Sequence, residues 1–346
     1  LELILTVADH LQPSVLLNLI QGIPQIAPLL THRHIQAQDD NKHTLLYLIV
    51  EQGLDELIEP LARWIPQSFI IPEEEGWTPL HQAIKNANQR MVKALVDAGS
   101  DLSAQDHRGR TALHLACRED AVKIVRFLLD HGANPSAVNY LQETPLHNAC
   151  GKDTAIMQML LEMGVDPNPR RMPLGGTPLR NEIMYGQASG VRILLEAGAD
   201  PCHPDAIHST LIHRAAAHGF ADSIRLFLEF GADITVRNSY GNTPFMNAAR
   251  CGSVECLEIF LAAGANISDV NDHGCTALHI AAWSGKESTV RRLLELGLDI
   301  SAQDGSGRTP MRCAVENEQT GVIQILEDAQ TSRLKKAIKR MTIQCS

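Results

Sequence analysis

The residues of this chain best able to do chemistry are its histidines, fifteen in 346 residues. The densest group, Cys202-His203 with His208, His213 and His218, has the donor types of a zinc centre. Its five-residue spacing turns His213 and His218 about 140° apart on one helix, toward different faces, so neither a metal nor a cofactor is expected. Glu182, taken with Tyr185, His218 and Arg250, has the types of an acid–base site, in which a desolvated carboxylate exchanges a proton. The competing and favoured reading of Glu182 is structural, satisfying polar groups of an adjacent segment. A buried carboxylate needs a partner, and Arg180, two residues away, lies on a different helical side. Gly305-Ser306-Gly307 lacks the third glycine and preceding strand of a dinucleotide fingerprint, and the motifs GxxxxGK[ST], HExxH and GxSxG are absent. With no recognised catalytic framework, the chain leans away from being an enzyme.

Composition narrows the class. Forty acidic against thirty basic residues leave a formal charge of −10, which argues against gripping nucleic acid or an anionic membrane. The last sixteen residues hold five basic and no acidic ones, so residues 1–330 hold 25 basic against 40 acidic residues, a charge of −15. Aromatics make up 4% of a chain that is 44% hydrophobic, so its interior is built of Leu, Ile, Val and Ala, as suits closely stacked helices. No apolar run approaches the roughly 18 residues of a spanning helix. The eight cysteines form no CxxC pair or disulfide framework, which predicts a soluble protein of a reducing compartment, cytoplasmic or nuclear. The first residue is Leu1 rather than Met, which leaves the native N-terminus open.

The elements that position these residues repeat. Thr stands at 44, 78, 111, 144, 177, 210, 243, 276 and 309, a first step of 34 residues followed by seven of 33. Thr78-Pro79-Leu80-His81, Thr111-Ala112-Leu113-His114, Thr144-Pro145-Leu146-His147 and Thr276-Ala277-Leu278-His279 recur around them. Gly132-Ala133-Asn134, Gly198-Ala199-Asp200, Gly231-Ala232-Asp233 and Gly264-Ala265-Asn266 follow about 21 residues after a Thr. Each Thr is expected to cap a first helix, with Pro or Ala in its first turn, ending near a glycine such as Gly219, Gly252 or Gly285. A second helix follows with an apolar stripe such as Ile124, Val125, Phe127, Leu128 and Leu129, closed by the Gly132-type residue and a polar turn. Neither helix pair hides its apolar face alone, so the units must stack.

Over residues 39–330 these units resemble the ankyrin repeat. The resemblance implies an all-α, elongated and curved solenoid of about nine 33-residue helix-turn-helix units with β-turn or hairpin fingers and helical caps. It also implies that His81, His114, His147, His213 and His279 bridge backbone groups between units and are scaffold. The fourth unit is irregular: Gly164 arrives one residue early, the finger Pro169 to Gly176 restores the length, Arg180 replaces the motif His, and Glu182 replaces Ala. Residues 331–346 read as a basic capping helix, with Leu334, Ile338 and Met341 on one face; a basic docking site is the alternative. Residues 1–38 lie outside the repeat. Leu1 to Leu11 with Pro13-Ser14-Val15-Leu16-Leu17 is similar to the opening of an F-box, which implies docking to cullin ubiquitin ligases, while a helical N-terminal cap is the plainer reading.

The resemblance further implies that finger residues one, three and four before each Thr, and inner-helix residues seven and eight after it, line a concave binding face. Three before, the chain reads Glu75, Arg108, Leu141, Leu174, Ile207, Tyr240, His273 and Ser306, apolar through its middle four. The inner helices add Met184, Tyr185, Ala217, His218, Arg250 and Trp283, and Tyr140 sits beside Leu141. Three of four tyrosines and two of three tryptophans, counting Trp77, fall at displayed positions, and Tyr, Trp and Arg are the usual anchors of recognition. Arg214, Asn148, Asn181 and Asn247 are candidates for further polar groups. The alternative is that the fingers pack on one another and partly cover the stripe. The expected function is an adaptor that binds another protein through this face, as a ubiquitin-ligase substrate receptor if the F-box reading holds. A small-molecule-binding protein or unusual enzyme, with a pocket among units three to seven, is the alternative.

Overall fold

A computed structural model describes residue 8 and residues 11–31, 33–34, 37–38, 44–61, 76–173, 175–202 and 207–344, with side chains to residue 335. Nine helix pairs occur among them, one for each Thr of the series. The first helices are Leu45–Gln52, Pro79–Lys85, Ala112–Arg118, Pro145–Ala149, Pro178–Tyr185, Leu211–His218, Pro244–Cys251, Ala277–Trp283 and Pro310–Glu316. The second helices are Ile58–Leu61, Gln89–Asp97, Val122–Asp130, Thr154–Glu162, Ala188–Glu196, Ala221–Glu229, Val254–Ala262, Glu287–Glu295 and Thr320–Gln344. Among the described residues there is no strand, only isolated bridges such as Val270 with Thr276. The all-α repeat solenoid expected from the sequence is therefore the observed fold class.

The chain divides into two compact units, residues 1–181 and 182–346. In the first, the inner helices from Leu45–Gln52 to Pro145–Ala149 stack each on the next, and the second helices form a parallel row behind them. The same two rows recur in the second unit from Leu211–His218 to Pro310–Glu316. Fully buried alanines, among them Ala116, Ala215, Ala216, Ala248, Ala281 and Ala282, let the inner helices approach closely. The second helices fill the core with Leu128, Leu160, Leu194, Phe227, Phe260 and Leu293. Each such side chain contributes about 1.5–3 kcal/mol by leaving water.

The local signals act as their chemistry requires. Thr44, Thr78, Thr243, Thr276 and Thr309 accept a backbone N–H from three residues on through their hydroxyls. The turn between helices needs a left-handed residue nine positions after the Thr. Gly219 (φ 76°) and Gly252 (φ 94°) supply it, but Ala87, Asp120 and Glu318 adopt it too, at 52°, 57° and 56°. The one-residue early arrival of Gly164 arises where Pro145–Ala149 ends early and Gly151 (φ 75°) makes the turn, so that the following helix opens at Thr154 rather than one residue later.

At the ends, helix Pro13–Gly22 buries Leu16, Leu17 and Ile20 and packs on Leu45–Gln52. The F-box resemblance rests mostly on residues outside those described. The C-terminal segment prolongs the last second helix without a break, and Arg333 ties it back through the Leu298 carbonyl at 2.9 Å. Leu334 of this segment is 64% exposed.

Candidate functional site

Five of the described fingers are shaped by a residue that the sequence reading did not single out, an Asn or Asp five positions before the Thr. The Asn238 Oδ1 accepts the N–H groups of Tyr240 and Asn242 at 3.0 and 3.1 Å. Asn271 does the same for His273 and Cys275 at 3.0 and 2.9 Å, and Asp304 for Ser306 and Arg308 at 2.9 Å each. These are Asx turns, and they push the residue three before the Thr outward. The signal was present in the sequence, as Asp106, Asn139, Asn238, Asn271 and Asp304 share this position.

Successive fingers join through their main chains. Ser239 N–H donates to the Ile207 carbonyl at 2.9 Å, Asp272 to Tyr240 at 3.2 Å, and Gly305 to His273 at 2.7 Å. In the first unit, Tyr140 N–H donates to Arg108 and Met172 to Leu141. The fingers thus do pack on one another, yet by backbone, and their side chains stay in water: Tyr240 is 51% exposed, Ile207 42% and Leu141 52%.

Behind the fingers run the five histidines. In each, Nδ1 accepts the N–H of the Thr three residues earlier, at 3.1 Å in Thr78–His81, so the ring proton resides on Nε2. That Nε2–H donates to a carbonyl 29 residues on, those of Arg110, Glu143, Gly176, Asn242 and Arg308, at 3.0 to 3.1 Å. His213 therefore spends both ring nitrogens on backbone, while His218 is exposed and stacks on Phe220, with ring centroids 5.4 Å apart. Cys202 and His208 are also described; His203 lies outside the described residues.

The structure also corrects one displayed position. The residue just before the Thr is buried in several units: Arg110 is 5% exposed, Ser209 6% and Trp77 6%. Trp77 is a core residue, not part of a binding face. Asn181 and Asn247 likewise turn to the scaffold, donating to the His147 and His213 carbonyls at 3.5 and 3.2 Å.

In the second unit, two adjoining hollows lie between the finger row and the inner helices. One, of about 250 Å³, is bounded by Ile207, Arg214, Ala217, His218, Tyr240 and Arg250 with Asn238, Asn242 and Asn247. The other, of about 220 Å³, shares Asn242, Asn247 and Arg250 and adds His273, Cys275, Ile280, Trp283, Arg308 and Cys313. Six residues expected from the sequence, Ile207, His218, Tyr240, Arg250, His273 and Trp283, are thus brought together. Met184 and Tyr185 are exposed but line neither hollow, Tyr140 and Leu141 belong to the first unit, and Leu174 lies outside the described residues.

The chemistry of these walls is that of binding. Burial, with the charge of Asp304, pushes the Cys275 thiol up to about 11, and burial raises Cys313 as well, so neither is a thiolate near neutral pH. Glu182, the candidate acid or base, lines neither hollow. It is 1% exposed and its carboxylate lies against Gly190 of Ala188–Glu196, where a Cβ would overlap it. Gly190→Ala is expected to cost about 1–3 kcal/mol through overpacking. In a Glu182→Ala background the same substitution should cost much less, read as midpoints of urea unfolding; equal costs in both backgrounds would exclude the contact.

Family models of ankyrin repeats match most of the chain. The model of three copies matches residues 16–106, 66–139, 99–171, 179–271 and 212–304. A model of many copies matches residues 284–327.

Proposed function

The chain belongs to the ankyrin-repeat family, a protein–protein interaction module, and on that premise we propose that it is an adaptor whose second unit recognises a partner protein through its finger row and inner helices. The observation that carries this reading is the meeting of Ile207, His218, Tyr240, Arg250, His273 and Trp283 around two adjoining open hollows. In a chain with 4% aromatics, Tyr240 and Trp283 leave 51% and 53% of their surface in water on fingers and helices whose backbones are tied down. Rigid, exposed aromatics next to an Arg are what a recognition surface presents, since little ordering entropy remains to be lost on binding. Tyr140, Leu141, Leu174, Met184 and Tyr185 would extend the contact surface.

Two open hollows side by side along the finger row, rather than one enclosed cavity, favour a protein over an enclosed small molecule. The narrower role of ubiquitin-ligase substrate receptor rests on the N-terminal resemblance alone, and absence of binding to a ligase adaptor in a pull-down removes it. The main reading is tested by panning displayed random peptides on the full chain. Tyr240→Ala and Trp283→Ala are each expected to weaken the selected peptides by about tenfold or more. Both positions are exposed, so the thermal midpoint should stay unchanged. Selected peptides that bind both variants as well as the parent would overturn the assignment of this face.

A further inference from the structure

We infer that the partner segment is an acidic peptide, its carboxylate side chain bound at Arg250 and an adjacent apolar side chain seated against Trp283. This deepens the proposed function and rests on it. The chain is acidic, with 40 carboxylate side chains against 30 Lys and Arg, yet among the described residues no Asp or Glu lines either hollow. Of the nearby carboxylates, Asp304 and Glu316 pair with Arg308 at 2.9 and 3.6 Å, and Asp272 is exposed on its finger without lining either hollow.

Arg250 stands where the two hollows join. It is exposed and has no carboxylate or hydrogen-bond partner among the described residues, whereas Arg192, Arg225, Arg237, Arg292, Arg308 and Arg312 in the same unit are all ion-paired. A guanidinium presents a planar fork that fits a carboxylate with two parallel hydrogen bonds. Beside it, Asn242 accepts the Asn271 Nδ2–H through its Oδ1 at 2.9 Å, which leaves its own amide hydrogens to donate. Arg214 and His218 also stand on the first hollow's wall. The second hollow differs: Trp283, Ile280, Cys275 and Cys313 offer apolar surface, and the raised thiols add no negative charge. Charge on one side and apolar surface on the other, with Arg250 shared, match neighbouring acidic and apolar side chains of one extended segment.

The panned random peptides decide this. Enriched sequences are expected to carry Asp or Glu beside a large apolar residue. Changing that acid to its amide should weaken binding to the full chain by about tenfold to a hundredfold, the range of a charge-assisted hydrogen bond. Arg250→Gln should weaken the acidic peptide equally while leaving the amide peptide unaffected, so the two losses do not add. Peptides that depend on Tyr240 and Trp283 but show no acidic preference, or an acid-to-amide loss that persists in Arg250→Gln, would overturn this inference and leave the proposed face standing. Peptides indifferent to Tyr240→Ala and Trp283→Ala would instead overturn the face itself.

Discussion

Arg110→Ala is expected to destabilise the first unit by about 3–5 kcal/mol, the cost of stranding a buried charge. Asp106 and Arg110 are 2% and 5% exposed, and the Arg110 guanidinium donates to Asp106 Oδ2 through Nη2 at 2.6 Å and Nε at 2.7 Å. Burial alone pushes the Asp106 carboxyl up, but the Arg110 side chain and the N–H groups of Arg110 and Arg108 hold it below the usual carboxylate range. Removing the guanidinium leaves that carboxylate with backbone donors only, in a place water does not reach. The same backbone also carries the ladder, since the Arg110 carbonyl accepts from His81 Nε2 at 3.0 Å. Asp304 and Arg308 repeat this geometry in the second unit, but there the Arg308 side chain is 43% exposed. Water can reach the Arg308 side of the pair, so Arg308→Ala should cost distinctly less than Arg110→Ala. Urea unfolding, with hydrogen exchange to locate the loss, measures both. Equal costs at the two sites would show that burial does not set the value of the pair.

Acidification should weaken the array well before its carboxylates titrate. Burial lowers His81 from the ordinary 6.5 to about 4, opposed by its hydrogen bond to the Arg110 carbonyl, and burial lowers His114, His147 and His279 in the same direction. These rings are neutral when folded, because Nδ1 must accept a backbone N–H, and they are protonated in the unfolded chain below about pH 6.5. The unfolded state therefore binds more protons between the two values. Stability is fully present above pH 6.5 and falls as pH drops toward 4, by about 3 kcal/mol for His81 alone. Asp106, Glu143 and Asp304 shift below their ordinary values, so their contributions are lost only at lower pH, and the interval between pH 6.5 and 5 isolates the histidines. Urea unfolding across that interval should show a falling midpoint, flatter in His81→Ala. A midpoint independent of pH there would refute neutral buried rings. Because contacts in a repeat array are chiefly between neighbours, the loss should appear first in units flanking the ladder histidines.

The nine Thr positions, the Pro and Ala of the first turns and the glycines after the helices announced the helix pairs, because caps and left-handed turns are decided within a few residues of backbone. The histidine ladder came from the family resemblance and not from local pattern, although its Thr side spans only three residues. Its other end, a carbonyl 29 residues away, followed only from the family resemblance. Some turns escaped: Ala87, Asp120 and Glu318 take left-handed backbone without the glycine that usually marks it. The Asx turns of Asn238 and Asn271 went unread although the residue types were in plain view.

Residue types and spacing by themselves determined that this protein is an all-α ankyrin-repeat array, and singled out the positions with anchoring chemistry. Which of those positions meet water, and which meet each other, was decided by tertiary structure. Trp77 and Trp283 were equally plausible anchors as letters, but stacking buries the first to 6% exposure and leaves the second at 53%. Glu182 shared a helix with Tyr185, yet it turns to Gly190 while Tyr185 faces solvent. Exposure depends on what a neighbour some 33 residues away covers, and that is a property of packing between units that no local pattern encodes.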